Sequence, residues 1–410
     1  MLGVGILIAA ALAGHVDADA GLAPFGAKVD EPRTISASFA QRSYRPGDVA
    51  YLVVESPVQG TTVRVFQCGP PAAPAIRDDT MSGVPVTNAA PASGRRIAIE
   101  VGDWPSGLYF ARLNRPGGWQ GFAPFVVRPR RLGESRVAVV LPTNTWQAYN
   151  FRDVDHDGTG DTWYADPRIR SVDLTRPFLN RGVPPHFRGY HQGFLWWLGL
   201  RPDAADVLAD DDFERVRNGA QLARLYDLVI FSGHEEYVTT HMYDVVQAYR
   251  DRGGNLAFLS ANNFYYRVER HGNRLFKIGH WSDLGRTGER LSGLVYVGWS
   301  KNLFPNRPYL VTGASKAPWF FRDVGVGNGS RFGKYGIEID ERGPRSPPGI
   351  VVLARIPNDF GPGRSAEMTY YTTSSGAKVF SAGVMNFGGS ALWPTVSRIL
   401  ENLWEHISTP

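Results

Sequence analysis

The hydrophobic pattern of this chain changes at an arginine-rich stretch, residues 128–136, and this change constrains the fold more than any other feature. From Ser36 to Pro129, short alternating apolar runs are separated by turns rich in Gly and Pro. That pattern is typical of a β-sandwich. Beyond residue 135 the apolar runs are continuous and alternate with helical stretches, which predicts buried parallel strands. We therefore expect an α/β protein: an Ig-like β-sandwich over residues 36–129, then a mostly parallel α/β sheet domain over 135–408.

The N-terminal residues indicate export. Residues 2–12 (LGVGILIAAAL) form an apolar run as long as a signal-peptide core, and Ala-Asp-Ala at 18–20 supplies a cleavage site. We expect residues 1–20 to be a signal peptide, the mature chain to begin near Gly21, and the protein to be secreted, either extracellular or periplasmic. The alternative is an apolar N-terminal strand. No other apolar run is long enough for a transmembrane helix.

Composition argues against several functional classes. The net charge is only +5 and the basic residues are scattered, so a nucleic-acid partner has little support. The single cysteine, Cys68, excludes an internal disulfide, a cysteine-based zinc site and a CxxC redox centre. No glycine-rich phosphate loop follows the first apolar strand, which argues against nucleotide binding.

Three polar segments follow directly after apolar strands: 142–150 (PTNTWQAYN), 232–237 (SGHEEY) and 260–265 (SANNFY). Ligands of open α/β sheets bind beyond the carboxyl ends of the strands, so the three segments predict a site. In the second segment, His234 beside Glu236 suits metal ligation or proton transfer, and carboxylates at a helix N-terminus are the alternative. In the first, Tyr149 is either a phenolate ligand or a tyrosine packed in the core.

A fourth segment predicts a calcium site. Asp153, Asp155, Asp157 and Asp161 form the pattern D-x-D-x-D-G-x-x-D, in which alternating carboxylates on a glycine turn converge on one point. Such a set of oxygen ligands suits a hard cation. The glutamate of an EF-hand is absent, because Tyr164 occupies its position. We therefore expect a free-standing Ca²⁺ loop, and a solvated acidic turn is the alternative.

The order of these motifs resembles a known family. TWQAYN, then GHEEY, then a helix ending in GG and the segment LAFLSANNFYYRV are similar to the C-terminal region of the large (β) subunit of N,N-dimethylformamidase. The sandwich segment SGLYFARL is similar to the region that precedes it. The resemblance spans roughly residues 36–408 and is strongest over 135–267. It implies a sheet domain like that of class I glutamine amidotransferases, without their cysteine, and hydrolysis of an amide bond.

The resemblance also implies a mononuclear Fe(III) ion held by two tyrosines and one glutamate. Glu236 and Tyr149 match two of these ligands. The other tyrosine precedes Tyr149 in the family's order, and Tyr109 in SGLY is the preferred match. Tyr190, in the polar stretch FRGYHQ, is the alternative.

Two further residues match catalytic positions of the family. His234 is expected to act as general base or proton shuttle. Asn262, in preference to its neighbour Asn263, is expected to orient the substrate or stabilise the oxyanion. The calcium-like loop and the export signal depart from the family pattern, so the substrate stays open.

Two functions remain in contention. The leading expectation is a secreted Fe(III)-dependent hydrolase of a small amide, with a homo-oligomer as an open expectation. The alternative is a non-catalytic secreted calcium-binding protein that binds a glycan or cell-wall polymer. Its aromatic surface would be Trp196-Trp197 and Trp163-Tyr164, which are also ordinary core candidates.

Overall fold

The computed structural model describes residues 30–203, 205–299, 307–359 and 361–409. The expected signal peptide, residues 1–20, lies outside this part of the chain and stays a prediction. Within the described ranges, no helix combines the length and the hydrophobicity needed to cross a lipid bilayer.

The first part of the chain forms two facing sheets. The strands described here are β1 (Ala37–Phe39), β2 (Ser43–Tyr44), β3 (Val49–Val54), β4 (Thr62–Cys68), β5 (Gly83–Pro85), β6 (Ala90–Pro91), β7 (Arg96–Glu100), β8 (Gly107–Arg115) and β9 (Trp119–Val127). One sheet has the order β1-β3-β7, and the other has the order β2-β9-β8-β4-β5, with β6 also paired to β4. Alternate residues such as Leu52 and Ile97 meet Val65 and Phe125 of the facing sheet in a shared core.

The larger of these sheets is buried on both faces. Leu108, Phe110 and Phe122 point away from the sandwich core and pack with Val139 and Leu141 of the second part of the chain. The two parts therefore share one continuous apolar contact.

The second part of the chain alternates helices with strands. Its described strands are β10 (Val137–Leu141), β11 (Ser171–Asp173), β12 (Asp206–Ala209), β13 (Leu228–Phe231), β14 (Tyr237–Thr239), β15 (Asn255–Phe258), β16 (Tyr266–His271), β17 (Arg274–His280), β18 (Val295–Trp299), β19 (Arg307–Val311), β20 (Arg331–Tyr335), β21 (Glu338–Glu341), β22 (Val351–Ile356), β23 (Ala366–Thr372) and β24 (Lys378–Ser381). Its described helices are α1 (Thr143–Ala148), α2 (Leu179–Gly182), α3 (Gly193–Gly199), α4 (Asp210–Phe213), α5 (Gly219–Leu225), α6 (Thr240–Arg250), α7 (Glu289–Ser292) and α8 (Pro394–Ile407), with shorter helical turns at Arg188–Gln192, Trp281–Leu284 and Gly388–Ser390.

Its central sheet has the order β12-β10-β13-β15-β24-β23-β22-β19-β20 among the described residues. The five strands from β12 to β24 are parallel neighbours, and the remaining pairs are antiparallel. The α/β class is confirmed, but parallel pairing covers only one half of the sheet. The reason is that β22, β23 and β24 follow one another through connections too short to contain a crossover helix.

Two smaller sheets cover the carboxyl edge of the parallel half. The first has the order β11-β17-β16-β14, and its core contains Trp163, Tyr237 and Tyr266. The second pairs β18 with β21, and β21 is attached to the loop after β24 through a bridge between Ile339 and Val384. Both sheets contribute side chains to the same edge.

Candidate active site

The polar segments after β10, β13 and β15 meet because these three strands are neighbours in the sheet. The backbone N–H of Glu236 donates to Thr145 Oγ1 at 3.2 Å, and that of Glu235 donates to Asn263 Oδ1 at 3.1 Å. The loop after β13 is thus tied to the segment on each side of it. The three segments therefore lie together beyond the carboxyl ends of the strands, which is where ligands of open α/β sheets bind.

His234 lies at the centre of this cluster and is 4% exposed. Its Nδ1 donates to the carbonyl of Ala261 at 2.9 Å, and its Nε2 lies 2.9 Å from Glu236 Oε2 and 3.4 Å from the Tyr149 hydroxyl. Burial alone would lower the pKa of His234, but the carboxylates of Glu338 and Glu236 outweigh burial and raise that pKa to about 9. The two carboxylates therefore favour the charged form of the ring, in which both nitrogens can donate.

The glycine before His234 is required by close packing. A Cβ atom at Gly233 would lie 2.0 Å from Cε1 of His191. His191 Nε2 accepts a hydrogen bond from Trp146 Nε1 at 3.1 Å, and burial lowers the pKa of His191 to about 3, so its ring is a neutral acceptor. Because Gly233 has no side chain, the loop that carries His234 can pack against His191, which is itself bonded to Trp146 of α1.

Asn262 joins two carboxylates. Its Nδ2 donates to Glu338 Oε2 at 2.9 Å and to Glu236 Oε1 at 3.3 Å. The residue has a left-handed backbone (φ 51°), and its backbone N–H donates to both carboxylate oxygens of Asp340 at 2.9 Å. The Asn262 side-chain oxygen is buried and has no donor among the described residues. Such an orphaned acceptor is available to a ligand.

Glu338 and Asp340 belong to the same cluster through their bonds to Asn262, and the sequence did not reveal them. Burial raises the pKa of Glu338 to about 7; His234 opposes that shift and Glu236 adds to it. Burial likewise raises the pKa of Asp340 to about 7. Both residues lie on β21, far from the other site residues in the chain, and no local motif marks them.

Several tyrosines lie close to Glu236 or have a pKa raised by the nearby carboxylates. The Tyr149 ring stacks on Tyr164 with 4.6 Å between centroids, and the Tyr164 hydroxyl lies 3.3 Å from both Glu236 oxygens and is bonded to the Tyr237 hydroxyl. Burial, and then Glu236 and Glu338, raise the pKa of Tyr149 well above its usual value. Burial and Glu338 also raise the pKa of Tyr190.

Sequence comparison gives the family of this chain. The family described as "N,N-dimethylformamidase beta subunit-like, C-terminal" matches residues 95–395. The chain belongs to this family.

Two relatives within the N,N-dimethylformamidase family share about a quarter of their aligned residues with this chain. The N,N-dimethylformamidase beta subunit of Paracoccus aminophilus is 24% identical over 404 residues, covering 73% of this chain and 52% of the relative. The subunit of the same name from Alcaligenes sp is 25% identical over 306 residues, covering 57% of this chain and 40% of the relative. This chain thus spans about half the length, or less, of the curated relatives it matches.

The likeness of this chain to one solved structure is weak. The structure titled "mmIFT52 N-terminal domain" is 14% identical and covers 51% of this chain and 86% of its own, with a TM-score of 0.33. A likeness at that level supports no argument about fold or function.

In this member of the dimethylformamidase family, Tyr109 is not part of the cluster. Its hydroxyl donates to the carbonyl of Pro105 at 2.8 Å, and its ring packs on Trp104 and Phe125 inside the sandwich core. A tyrosine bonded to the backbone a few residues upstream is a structural feature of β-sandwiches. The expectation that Tyr109 approaches Tyr149 is not met, because its strand directs the side chain into the core.

The expected calcium loop connects two tyrosines of the site, Tyr149 and Tyr164. Carboxylate oxygens of Asp153, Asp155 and Asp161 all lie within 4.8 Å of one another. Asp157 is not in this group, and its Oδ1 accepts from the backbone N–H of Thr159 at 2.7 Å. The structure brings together three of the four carboxylates.

The aromatic residues of the glycan-binding alternative are not on the surface. Trp196 and Trp197 are 2% and 4% exposed and belong to the main apolar core. Trp196 Nε1 donates to the carbonyl of Ala72 at 2.7 Å, which satisfies the indole. Trp163 is buried and Tyr164 faces Glu236, so none of the four forms an open aromatic platform.

Proposed function

We propose that this chain hydrolyses a carbon–nitrogen bond of a small amide at an Fe(III) ion held by Tyr149, Glu236 and Tyr190. The observation that supports the proposal most is the convergence of Tyr149, His234 and Glu236 at one edge of the sheet. Membership of the N,N-dimethylformamidase family supports amide hydrolysis as the reaction class.

The donor set fits a trivalent cation. Burial, and then the charges of Glu236 and Glu338, raise the pKa of Tyr149. A cation placed among these oxygens would reverse the shift and stabilise the phenolate. Anionic oxygen ligands are those that hard metal ions prefer.

Tyr190 is the better candidate for the second phenolate. Burial and, next, the charge of Glu338 raise the pKa of Tyr190, which places this tyrosine within the electrostatic reach of the carboxylates. The Tyr164 hydroxyl, in contrast, is already bonded to Tyr237 and Glu236. We assign Tyr164 a supporting role through its stack on Tyr149.

The metal ion, His234 and Asn262 would each have a different part in the reaction. Bound Fe(III) would polarise the amide carbonyl and lower the pKa of a coordinated water. The Nε2 atom of His234 is placed to take up or release a proton, because its Nδ1 is fixed by Ala261. Asn262 holds Glu236 and Glu338 in position, and its free side-chain oxygen can accept a hydrogen bond from the substrate N–H or from water.

A calcium ion at Asp153, Asp155 and Asp161 is a separate part of the proposal. Three carboxylates so close together repel one another unless a cation neutralises them. Since the loop connects Tyr149 to Tyr164, the ion would stabilise one wall of the site. Export of the chain stays a prediction from residues 1–20.

The iron site is tested by metal content and visible absorption of protein purified with iron supplied. We expect one iron per chain and a phenolate-to-iron charge-transfer band. Tyr149→Phe and Tyr190→Phe should each shift or weaken the band while the chain stays folded. Tyr109→Phe is the matched control: it removes a buried tyrosine hydroxyl but should leave the band unchanged. Iron-free, colourless wild-type protein would overturn the proposal.

A further inference from the structure

The strand β7 forms an open edge of the smaller sandwich sheet. In the described residues β7 pairs only with β3, in an unbroken antiparallel register from Val53↔Arg96 to Val49↔Glu100. No bulge or proline interrupts the strand. Edges of this kind are templates for pairing with another strand unless a protein blocks them.

The backbone groups on this edge can be assigned from the register. The N–H of Val54 donates to the carbonyl of Arg95, and the N–H of Val101 donates to that of Asp48. Hydrogen-bonded pairs alternate along an antiparallel ladder, so Ile97 and Ile99 direct their N–H and C=O groups toward β3. The N–H and C=O groups of the other three residues of β7, positions 96, 98 and 100, therefore point outward, without a partner among the described strands.

The side chains of the same three residues, Arg96, Ala98 and Glu100, are exposed and lie on one face, whereas Ile97 and Ile99 face the core. Their order along the strand is positive, small, negative. The Arg96 guanidinium lies over the ring of Tyr51, 4.1 Å from its centroid, which holds it on the exposed face. Rotation of β7 by a two-fold axis through Ala98 places arginine opposite glutamate at both ends, so the edge is complementary to itself.

We propose that β7 is a dimerisation edge: two copies of this chain pair their β7 strands antiparallel, with Ala98 opposite Ala98 of the second copy. In this register every outward N–H and C=O of the three residues has a partner, and the sheets join as β1-β3-β7-β7-β3-β1. Arg96 of each copy faces Glu100 of the other. The small Ala98 side chain permits close approach at the axis.

Charge reversal tests both the edge and the register. We expect the wild-type chain, followed by sedimentation equilibrium from about 1 to 100 µM, to shift from one chain mass toward two, as small interfaces do. Arg96→Glu and Glu100→Arg should each weaken the dimer about tenfold or more, since each variant places like charges opposite each other twice. An equal mixture of the two variants should form heterodimers. One copy then presents two acidic side chains at positions 96 and 100, and the other presents two basic ones.

Two further variants test the position of the axis and the specificity of the charge change. Ala98→Lys should also give monomers, because it places two positive charges at the axis. Arg331→Glu, which makes the same charge change on the exposed edge strand β20, should dimerise as the wild type does. A wild-type chain that stays at one chain mass would overturn the proposal. So would single variants that still dimerise, or variants that fail to associate when mixed.

Discussion

His234 shows how one residue acquires its role from its surroundings. Its Nδ1 is bonded to a backbone carbonyl, which fixes the ring, so only Nε2 can change its partner. Two carboxylates near the ring stabilise its charged form against the cost of burial. The residue is therefore suited to hold a proton next to Glu236 and Tyr149.

We predict that His234→Gln separates proton transfer from metal binding. The side chain of Gln is neutral and cannot shuttle a proton, so amine release from small amides should fall about 10²–10⁴-fold. Iron content and the charge-transfer band should stay close to those of the wild type, because His234 is not among the proposed ligands. Loss of iron in this variant would show instead that His234 holds the ligand set together.

At the scale of elements, the loop between α1 and β11 connects to the site at both of its ends. Thr162 Oγ1 donates to the carbonyl of Ala148 at 2.5 Å, and the buried Arg176 donates to the carbonyls of Asp161 and Gln147. The base of the loop is thus bonded to α1. The acidic turn itself is held by bonds within the loop, such as the one from the backbone N–H at position 156 to Asp153 Oδ1.

We predict that Ca²⁺ stabilises the protein through this loop. A ligand at about 100 times its Kd stabilises the folded state by roughly 2.7 kcal/mol, which should raise the melting temperature measured by calorimetry. Asp155→Asn removes a carboxylate of the convergent group and should abolish the response. Asp157→Asn is the matched control, since Asp157 lies outside that group. A response that survives in Asp155→Asn would contradict the assignment.

At the scale of the whole molecule, ion pairs accompany the apolar contact between the two parts of the chain. Arg42 Nε donates to Asp211 Oδ1 at 3.0 Å, and Arg128 Nε lies 3.1 Å from Asp212 Oδ1. Asp212 lies in α4 and is fully buried. Burial raises the pKa of Asp212 to about 6, although the Ala209 N–H and Arg128 oppose the shift.

This shift predicts a pH dependence of stability. A carboxyl whose pKa is about 6 when folded and about 3.9 when unfolded favours the folded state when protonated, so its contribution is lost as pH rises from about 4 to 6. Asp212→Asn cannot ionise. Relative to the wild type, its free energy of unfolding should therefore increase by about 2–3 kcal/mol between about pH 4 and about pH 7.

Urea denaturation at several pH values would measure this difference. Asp103→Asn, at a side chain that is 86% exposed, is the control and should show no such trend. An Asp212→Asn variant whose stability stays parallel to the wild type across this range would contradict the prediction.

The residues of the candidate site fall into two kinds: those that follow an apolar strand of the parallel sheet, and those that lie on β21. The segments that contain Tyr149, His234, Glu236 and Asn262 could be located because each follows an apolar strand, and strand ends in a parallel sheet converge by rule. The resemblance to the family supplied the expected roles of the individual residues. Glu338 and Asp340 could not be located in this way. They reach the site because β21 is bridged to the loop after β24. That bridge is a long-range pairing with no local signature.

The sequence by itself determined the α/β class, the change from sandwich to sheet and the loops that form the candidate site, because periodicity and strand-end position are local properties. Only the tertiary structure decided that Tyr109 lies apart from the candidate site. The side chain of Tyr109 packs in the sandwich core, where its hydroxyl is bonded to the carbonyl of Pro105. Tyr190 lies in the helical turn at Arg188–Gln192, and the charge of Glu338 contributes, after burial, to its raised pKa. Which element packs against a given side chain depends on long-range pairing, which no local pattern encodes.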